Sequence, residues 1–409
     1  MNNPLGSLGV IVERNVEVPM RDGTVLRADI WRPDAAGQFP VLIERTPYDK
    51  TTSSESSLGA GEYYASHGYV TVIQDVRGRF ASDGLFYPFR DDGDGENQDG
   101  YDTVEWAAAQ PWSNKKIGTI GGSYSGATQY RMLATQPPHL VAQFVRQSSS
   151  DYYIEWVYRS GVFEHGFNIS WTLKHASTNA VKLAPDGMED EVVTRLTKAS
   201  DDYQKWLEHV PISPLLPVAD LQDWFVDWMD HPNQGEYWNE FSIVRSHDRV
   251  DVPVHHFGSW YDCFLRGTIE NYVGMRSKAV NKQARSGQRL TIGPWVHNPS
   301  PADMRTSGEV DFGEQAKLGW FATRLRWFDH WLKGIDNGME QEKPVKLFTM
   351  GVNKWREFSE WPPAEISYTP FYLSNGSSGS AQSLNDGVLS KTKPDAFGEV
   401  FDEYQSDPE

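Results

Sequence analysis

The chain of 409 residues has one cysteine, Cys263, so it can form no disulfide within itself and no cysteine-based zinc site. It has no apolar run approaching the length of a membrane-spanning helix. Its N-terminus, Met1-Asn-Asn-Pro-Leu-Gly, lacks the basic segment and apolar stretch of a secretory signal. Basic residues are in deficit: 38 Lys and Arg against 56 Asp and Glu give a net charge of −18, with no basic cluster to offset it. That balance argues against nucleic acid or an anionic membrane as partner, and it reads as solubility. No internal repeat is visible, and low-complexity sequence is confined to the loop SNGSSGS at residues 374–380. The expectation is a cytoplasmic protein.

Aromatic residues are plentiful, with 16 Trp, 18 Tyr and 19 Phe, enough to pack cores and line an apolar pocket. Residues 15–20 and 24–31 alternate in polarity around Arg21-Asp22-Gly23, a hairpin signal. Residues 40–44 and 69–74 are short apolar runs of buried-strand type, separated by a loop carrying Arg45-Thr46-Pro47-Tyr48-Asp49-Lys50. A helix is predicted over 101–109 and a further strand over 141–145. Strands alternating with helices predict a mostly parallel sheet covered on both faces, an α/β core over residues 1–150.

From 151 to 250 the texture changes. Val192, Leu196, Ala199, Tyr203, Trp206 and Val210 recur at helical spacing, the pattern of a helical cap insertion. The core resumes over 251–340, with strands at 252–257 and 289–292. A helix follows, with Phe321, Leu325, Phe328 and Leu332 on one face and Gly334 as its stop. Residues 341–409 read as short strands, among them 345–350 and 368–373, separated by Pro, Gly and Ser turns. About four or five strands fit there, fewer than the seven or eight of a closed sandwich, so an incomplete β domain is expected.

The stretch Gly121-Gly122-Ser123-Tyr124-Ser125-Gly126 follows a β-branched run and opens a helix. Strand, sharp turn and helix make a nucleophile elbow, in which the departing helix aims its N–H groups at negative charge forming beside the hydroxyl. The glycine after the serine comes one position later than in G-x-S-x-G. A serine hydroxyl needs a base and the base an orienting acid. In chain order Ser, Asp, His, the next strand-end acid is Asp262 and the following strand-end histidine is His297. The Tyr124 N–H supplies one oxyanion donor by elbow geometry. Tyr48, in the loop after an early strand, can supply a second through its phenol. Taken singly, Asp262 also reads as a helix cap, His297 as one of 11 histidines and Tyr48 as loop packing.

Other clusters are read as structural. Asp91-Asp-Gly-Asp-Gly-Glu-Asn-Gln-Asp99 lacks the glycine placement of an EF-hand and reads as a solvated acidic loop. His255 and His256 are neighbours on a strand and point to opposite faces, a poor chelate. Asp227, Asp230 and His231 read as capping and surface pairing, and Cys263 as a small packed residue. No metal site and no cofactor are expected.

Five motifs together resemble the serine-hydrolase family that joins cocaine esterase with the X-prolyl dipeptidyl-peptidases, the CocE/NonD type of the α/β-hydrolase superfamily. They are Arg45-Thr-Pro-Tyr48, Gln74-Asp-Val-Arg-Gly-Arg79, Gly121-Gly-Ser-Tyr-Ser-Gly126, Gly258-Ser-Trp-Tyr-Asp262 and Gly293-Pro-Trp-Val-His297. His231-Pro232, Tyr237-Trp238 and Phe328-Asp-His-Trp-Leu-Lys-Gly334 fit as well. The resemblance implies an α/β-hydrolase core, an inserted helical cap and a C-terminal jelly roll, here looking truncated. It implies Ser123, Asp262 and His297 as triad and Tyr48 as a side-chain oxyanion donor. Trp156, Trp171 and Phe264 match positions that line the acyl pocket of esterase members, and they equally suit core packing. Two departures are visible. The first core hairpin begins by about residue 15, so the large N-terminal domain of full-length prolyl peptidases is not expected, and Phe264 and Leu265 stand where α-amino-acid ester hydrolases carry acids for a substrate ammonium. The expected partner is therefore a small ester or a short peptide, and the sequence leaves room for a homo-oligomer. Three functions stay open: an esterase, which these departures favour, an X-prolyl dipeptidyl-peptidase, and a non-catalytic binding module on the same fold.

Overall fold

The computed structural model describes residues 6–213, 215, 217–374 and 388–393. Two antiparallel strands, β1 (Val10–Pro19) and β2 (Val25–Pro33), turn through Arg21-Asp22-Gly23, where Gly23 takes a φ of 87° that a side chain would resist. The sheet continues with β3 (Phe39–Thr46), β4 (Val70–Asp75), β5 (Ser113–Thr119), β6 (Leu140–Arg146), β7 (Val254–Tyr261) and β8 (Arg289–Val296). It ends with β9 (Val345–Thr349) and β10 (Lys354–Phe358). The order across the sheet is β1-β2-β4-β3-β5-β6-β7-β8-β9-β10. Pairing is parallel from β4 to β9 and antiparallel at the two margins.

Both faces are covered, as near-continuous apolar strands require. Along β3, Val41 and Ile43 point into a cluster with α1 (Asp99–Ala108), α2 (Tyr124–Leu133) and the later helix α6 (Leu265–Lys278). Leu42 points the other way, toward Phe144, Phe257 and the helix α7 (Trp320–Lys333). Trp320, Phe321, Trp327, Phe328 and Leu332 form the buried stripe of α7, and Gly334 ends it in the left-handed conformation (φ 70°).

Between β6 and β7 the chain leaves the sheet. A single π turn, Tyr153–Val157, leads to α3 (His165–Ser177), α4 (Glu189–Asp201) and α5 (Asp223–Asp230). Their core is aromatic, built on Trp156, Trp171, Trp224, Phe225, Trp228 and Trp238, and it rests on Tyr124 at the head of α2 and Phe264 at the head of α6. One detail differs from the periodicity. The apolar face of α4 stops at Ala199, since α4 ends at Asp201; Tyr203 is exposed and Val210 is 80% exposed, while Trp206, on the next short helix Tyr203–Leu207, packs against the cap core.

The sheet also runs past the boundary expected at 340. β9 pairs in parallel with β8 (Leu290 beside Val345), and β10 closes the edge, so the first compact unit reaches Ser359. Alternating strands suit a half-covered sheet margin as well as a sandwich, so the pattern alone does not tell the two apart. The second unit, Glu360–Glu409, contains one described antiparallel pair, Tyr372–Ser374 with Val388–Ser390. The rest of the expected jelly roll, and most of the SNGSSGS loop, lie outside the described residues. Among the described residues no helix is long and apolar enough to cross a membrane.

Candidate active site

Ser123 stands between β5 and α2 with φ 57° and ψ −124°, a strained backbone for a residue with a side chain. The strain is held by its surroundings. Its N–H donates to the carbonyls of Arg146 (3.0 Å) and Gln147 (3.1 Å), and its carbonyl accepts from Ser148 Oγ at 2.8 Å. Gly126 lets α2 approach: a Cβ there would lie 2.6 Å from Ser148 Cβ. The first turn of α2 contains no acidic residue, so its positive pole is left for charge forming at Ser123.

Asp262 and His297 directly follow β7 and β8, both of which run longer than the sequence pattern suggested. His297 Nδ1 donates to Asp262 Oδ1 at 2.8 Å. The carboxylate is buried while the imidazole is 35% exposed, so Nε2 is left as the basic nitrogen on an accessible ring. The loop of His297 is tied to the elbow. Gln147 accepts from Asn298 N (3.0 Å) and donates to Val296 O (2.8 Å), and Arg146 Nη1 donates to Asn298 O (2.6 Å).

The Tyr48 phenol neighbours the Ser123 side chain, the Trp171 ring and the backbone N–H of Tyr124. Burial pushes this phenol above its ordinary value, so it remains a donor. Its loop is clamped on both sides. Asp75, at the end of β4, accepts from Lys50 N (2.7 Å) and Lys50 Nζ (3.1 Å), while Arg79 Nε donates to Pro47 O (3.0 Å). The aromatic positions gather here. Trp156 stacks on Phe264 (centroids 4.8 Å), Phe264 meets the His297 ring edge-on (5.5 Å), and Trp171 lies parallel to Tyr124 (6.3 Å).

A serine on a strained elbow, a carboxylate–imidazole pair at the ends of the adjacent strands β7 and β8, and a phenol beside the serine are the parts a nucleophilic acyl transfer requires. Comparison with known proteins agrees in kind. The chain matches the X-Pro dipeptidyl-peptidase (S15 family) profile over residues 22–299.

The chain belongs to the S15 family.

Its residues 337–408 match the C-terminal non-catalytic domain of the X-Pro dipeptidyl-peptidases. It is 31% identical to the cocaine esterase of a Rhodococcus species, over 97% of its own length and 68% of that protein's. A CocE/NonD family hydrolase from Staphylococcus aureus superposes with a TM-score of 0.65 at 23% identity, covering 89% of this chain and 59% of the other. An aminopeptidase from a marine-sediment Thaumarchaeota archaeon superposes with a TM-score of 0.68 at 21% identity, covering 92% and 63%. The chain thus spans roughly two thirds of the length of these relatives. The S15 fold is an α/β-hydrolase core joined to a C-terminal non-catalytic domain, and S15 proteins are serine hydrolases.

Several residues around the site of this S15 chain have no role legible in its sequence, although Arg79 ends the motif Gln74-Asp-Val-Arg-Gly-Arg79. Arg79 and His175 stand behind Tyr48, and Glu44 lies under the elbow, where Ser125 Oγ donates to it at 3.0 Å. The acidic loop is not simply solvated either. Asp92 and Asp99 are buried, where they bind Arg45 and Arg77. Asp94 pairs with Arg249. His255 and His256 do face opposite ways, toward Thr291 and Gln288, and burial holds both rings below their ordinary value. Asp262, Cys263 and His297 place donor atoms within 4.8 Å of one another, a spacing a metal could use. Cys263 is exposed rather than packed as its sequence context suggested. The same atoms of Asp262 and His297 are already bonded, and desolvation of the thiol and the Asp262 charge push Cys263 up to about 12, which disfavours the thiolate a metal requires.

Proposed function

We propose that this chain is a serine esterase that hydrolyses carboxylic esters with compact apolar acyl groups through an acyl-enzyme. The observation that carries the reading is the strained Ser123 at the head of α2 with the Tyr48 phenol beside it, on the sheet edge that presents the His297–Asp262 pair. Ser123 Oγ attacks the ester carbonyl as its proton passes to His297 Nε2. Asp262 fixes the tautomer and stabilises the imidazolium. The tetrahedral oxyanion takes donors from the Tyr48 phenol and the Tyr124 N–H. As the alkoxide leaves it takes the proton from His297, and water then repeats the sequence in reverse to release the acid.

Trp156, Trp171 and Phe264 form the acyl wall. An aromatic wall favours an apolar acyl group over a free α-ammonium, which would need an unengaged carboxylate. Glu155, beside Trp156, already accepts from Ser149 Oγ (3.2 Å) and Ser150 N (3.1 Å), and Asp92 pairs with Arg45. The family match keeps dipeptidyl-peptidase activity as the second reading. Turnover of p-nitrophenyl butyrate and Gly-Pro-p-nitroanilide on one sample, with Ser123→Ala as control, separates the two. Faster ester cleavage, abolished in the variant, is the expected result. Preferential release from the Gly-Pro substrate would reverse the ranking, and a folded protein whose Ser123 ignores a fluorophosphonate would leave only the binding module.

A further inference from the structure

Arg79 is fully buried and forms no ion pair among the described residues. Its Nε donates to Pro47 O (3.0 Å), the carbonyl that precedes Tyr48. Its Nη1 donates to His175 O (2.8 Å), and its Nη2 donates to Thr178 Oγ1 (3.1 Å) and meets His175 Nδ1 at 3.4 Å. One planar group therefore spans the Tyr48 loop and the last turn of α3. His175 completes the arrangement, with its ring 5.1 Å from that of Tyr48 and 4.1 Å from that of Trp171. Burial, and then Arg79 itself, hold His175 well below its ordinary value, so the ring stays neutral and accepts.

A buried guanidinium without a carboxylate is an expensive way to fill space, since desolvation works against its charge. The carbonyls at the negative end of α3 offset part of that cost. An apolar side chain of similar length would pack there without it. What the guanidinium adds is a rigid fork whose donors fix two segments relative to each other.

We propose that Arg79 is the positioning residue for Tyr48, locking its phenol over Ser123 and coupling that placement to the cap helix α3. The proposal rests on Tyr48 being an oxyanion donor. Asn179 offers a comparison at the same junction: its Oδ1 accepts from Phe80 N (3.2 Å) and its Nδ2 donates to Gly78 O (3.1 Å), holding loop to cap without touching Pro47.

The test is a double-mutant cycle read in kcat and KM for p-nitrophenyl butyrate. Arg79→Met is expected to lower kcat about tenfold with KM changed less than about threefold. Combined with Tyr48→Phe it should cost less than about twofold beyond the Tyr48→Phe variant alone. Asn179→Ala, a brace only, should multiply its effect equally in both backgrounds. If Arg79→Met cost the same factor with and without Tyr48, or left kcat at the wild-type value, Arg79 would be no more than packing. Should Arg79→Met fail to fold, Arg79→Lys is read in the same cycle, since it keeps the charge and loses the fork. Wild-type kcat in Tyr48→Phe itself would remove the oxyanion role, an outcome visible in that single variant and separate from the coupling.

Discussion

In the proposed mechanism the Tyr48 phenol does what a backbone N–H does in other oxyanion holes, and it can be deleted without moving the chain. Tyr48→Phe keeps the ring contacts with Tyr124 (6.4 Å) and His175 and removes only the donor. Because that donor acts on charge present in the tetrahedral intermediate, kcat should fall by about 10²–10³ while KM hardly changes. Steady-state ester kinetics beside an unchanged melting curve would check this, and a rise in KM at constant kcat would make Tyr48 a substrate contact instead. Tyr48, Ser123, Asp262 and His297 stand out in the sequence as candidates because each follows a strand signal in the order the chemistry needs. Glu44 does not, and Arg79 shows only as the end of a family-like motif, without its partners. A buried charge satisfied by carbonyls and hydroxyls spells the same as a surface one, and only the fold decides which it is.

At the scale of elements, the cap packs its aromatic core against Tyr124, the residue after the elbow serine. The π turn Tyr153–Val157 aims Trp156 into the space between Phe264, Phe167 and Trp171, at centroid distances of 4.8, 5.4 and 5.8 Å, and the indole is fully buried. Trp156→Ala removes stacking and leaves a cavity, which typically costs about 3–5 kcal/mol. The expected outcome is a lower denaturation midpoint, with a KM for p-nitrophenyl butyrate that rises while longer acyl chains gain relative to it. Unchanged acyl preference would make Trp156 core alone. The sequence showed a helical insertion here through its period and aromatic density. It did not show which aromatics pack against Tyr124, because helical spacing gives a face and not a partner. β9 and β10 teach the same lesson from the other side: alternation told that one face was covered, not which sheet supplied the cover.

Over the whole molecule, the net charge of −18 makes folding less favourable as pH rises, since like charges accumulate on a compact body. A second source is buried and more specific. Glu44, on β3, accepts from Ser125 Oγ and Ser53 Oγ (2.8 Å) and faces Glu55, Arg324 and Arg146 in the interior between the elbow and α7. Burial, then the charge of Glu55, push its carboxyl from 4.5 up to about 8. The folded chain therefore holds this proton while the unfolded chain loses it near 4.5. In that window the native state binds more protons, so stability falls as pH rises, by at most about 1.4 kcal/mol per pH unit for one group. The contribution is complete below 4.5 and gone above about 8. Glu155, raised to about 7, and Asp99, raised to about 6, act in the same direction over narrower windows. The slope of wild type alone cannot separate these from surface repulsion, but a variant can. Glu44→Gln is neutral at every pH and keeps an oxygen for one serine. Its urea midpoint relative to wild type should climb steadily between pH 5 and 8 and then level off. A difference that stays flat across that range would mean that Glu44 ionises in the fold as it does outside it, with Arg324 and Arg146 holding its charge.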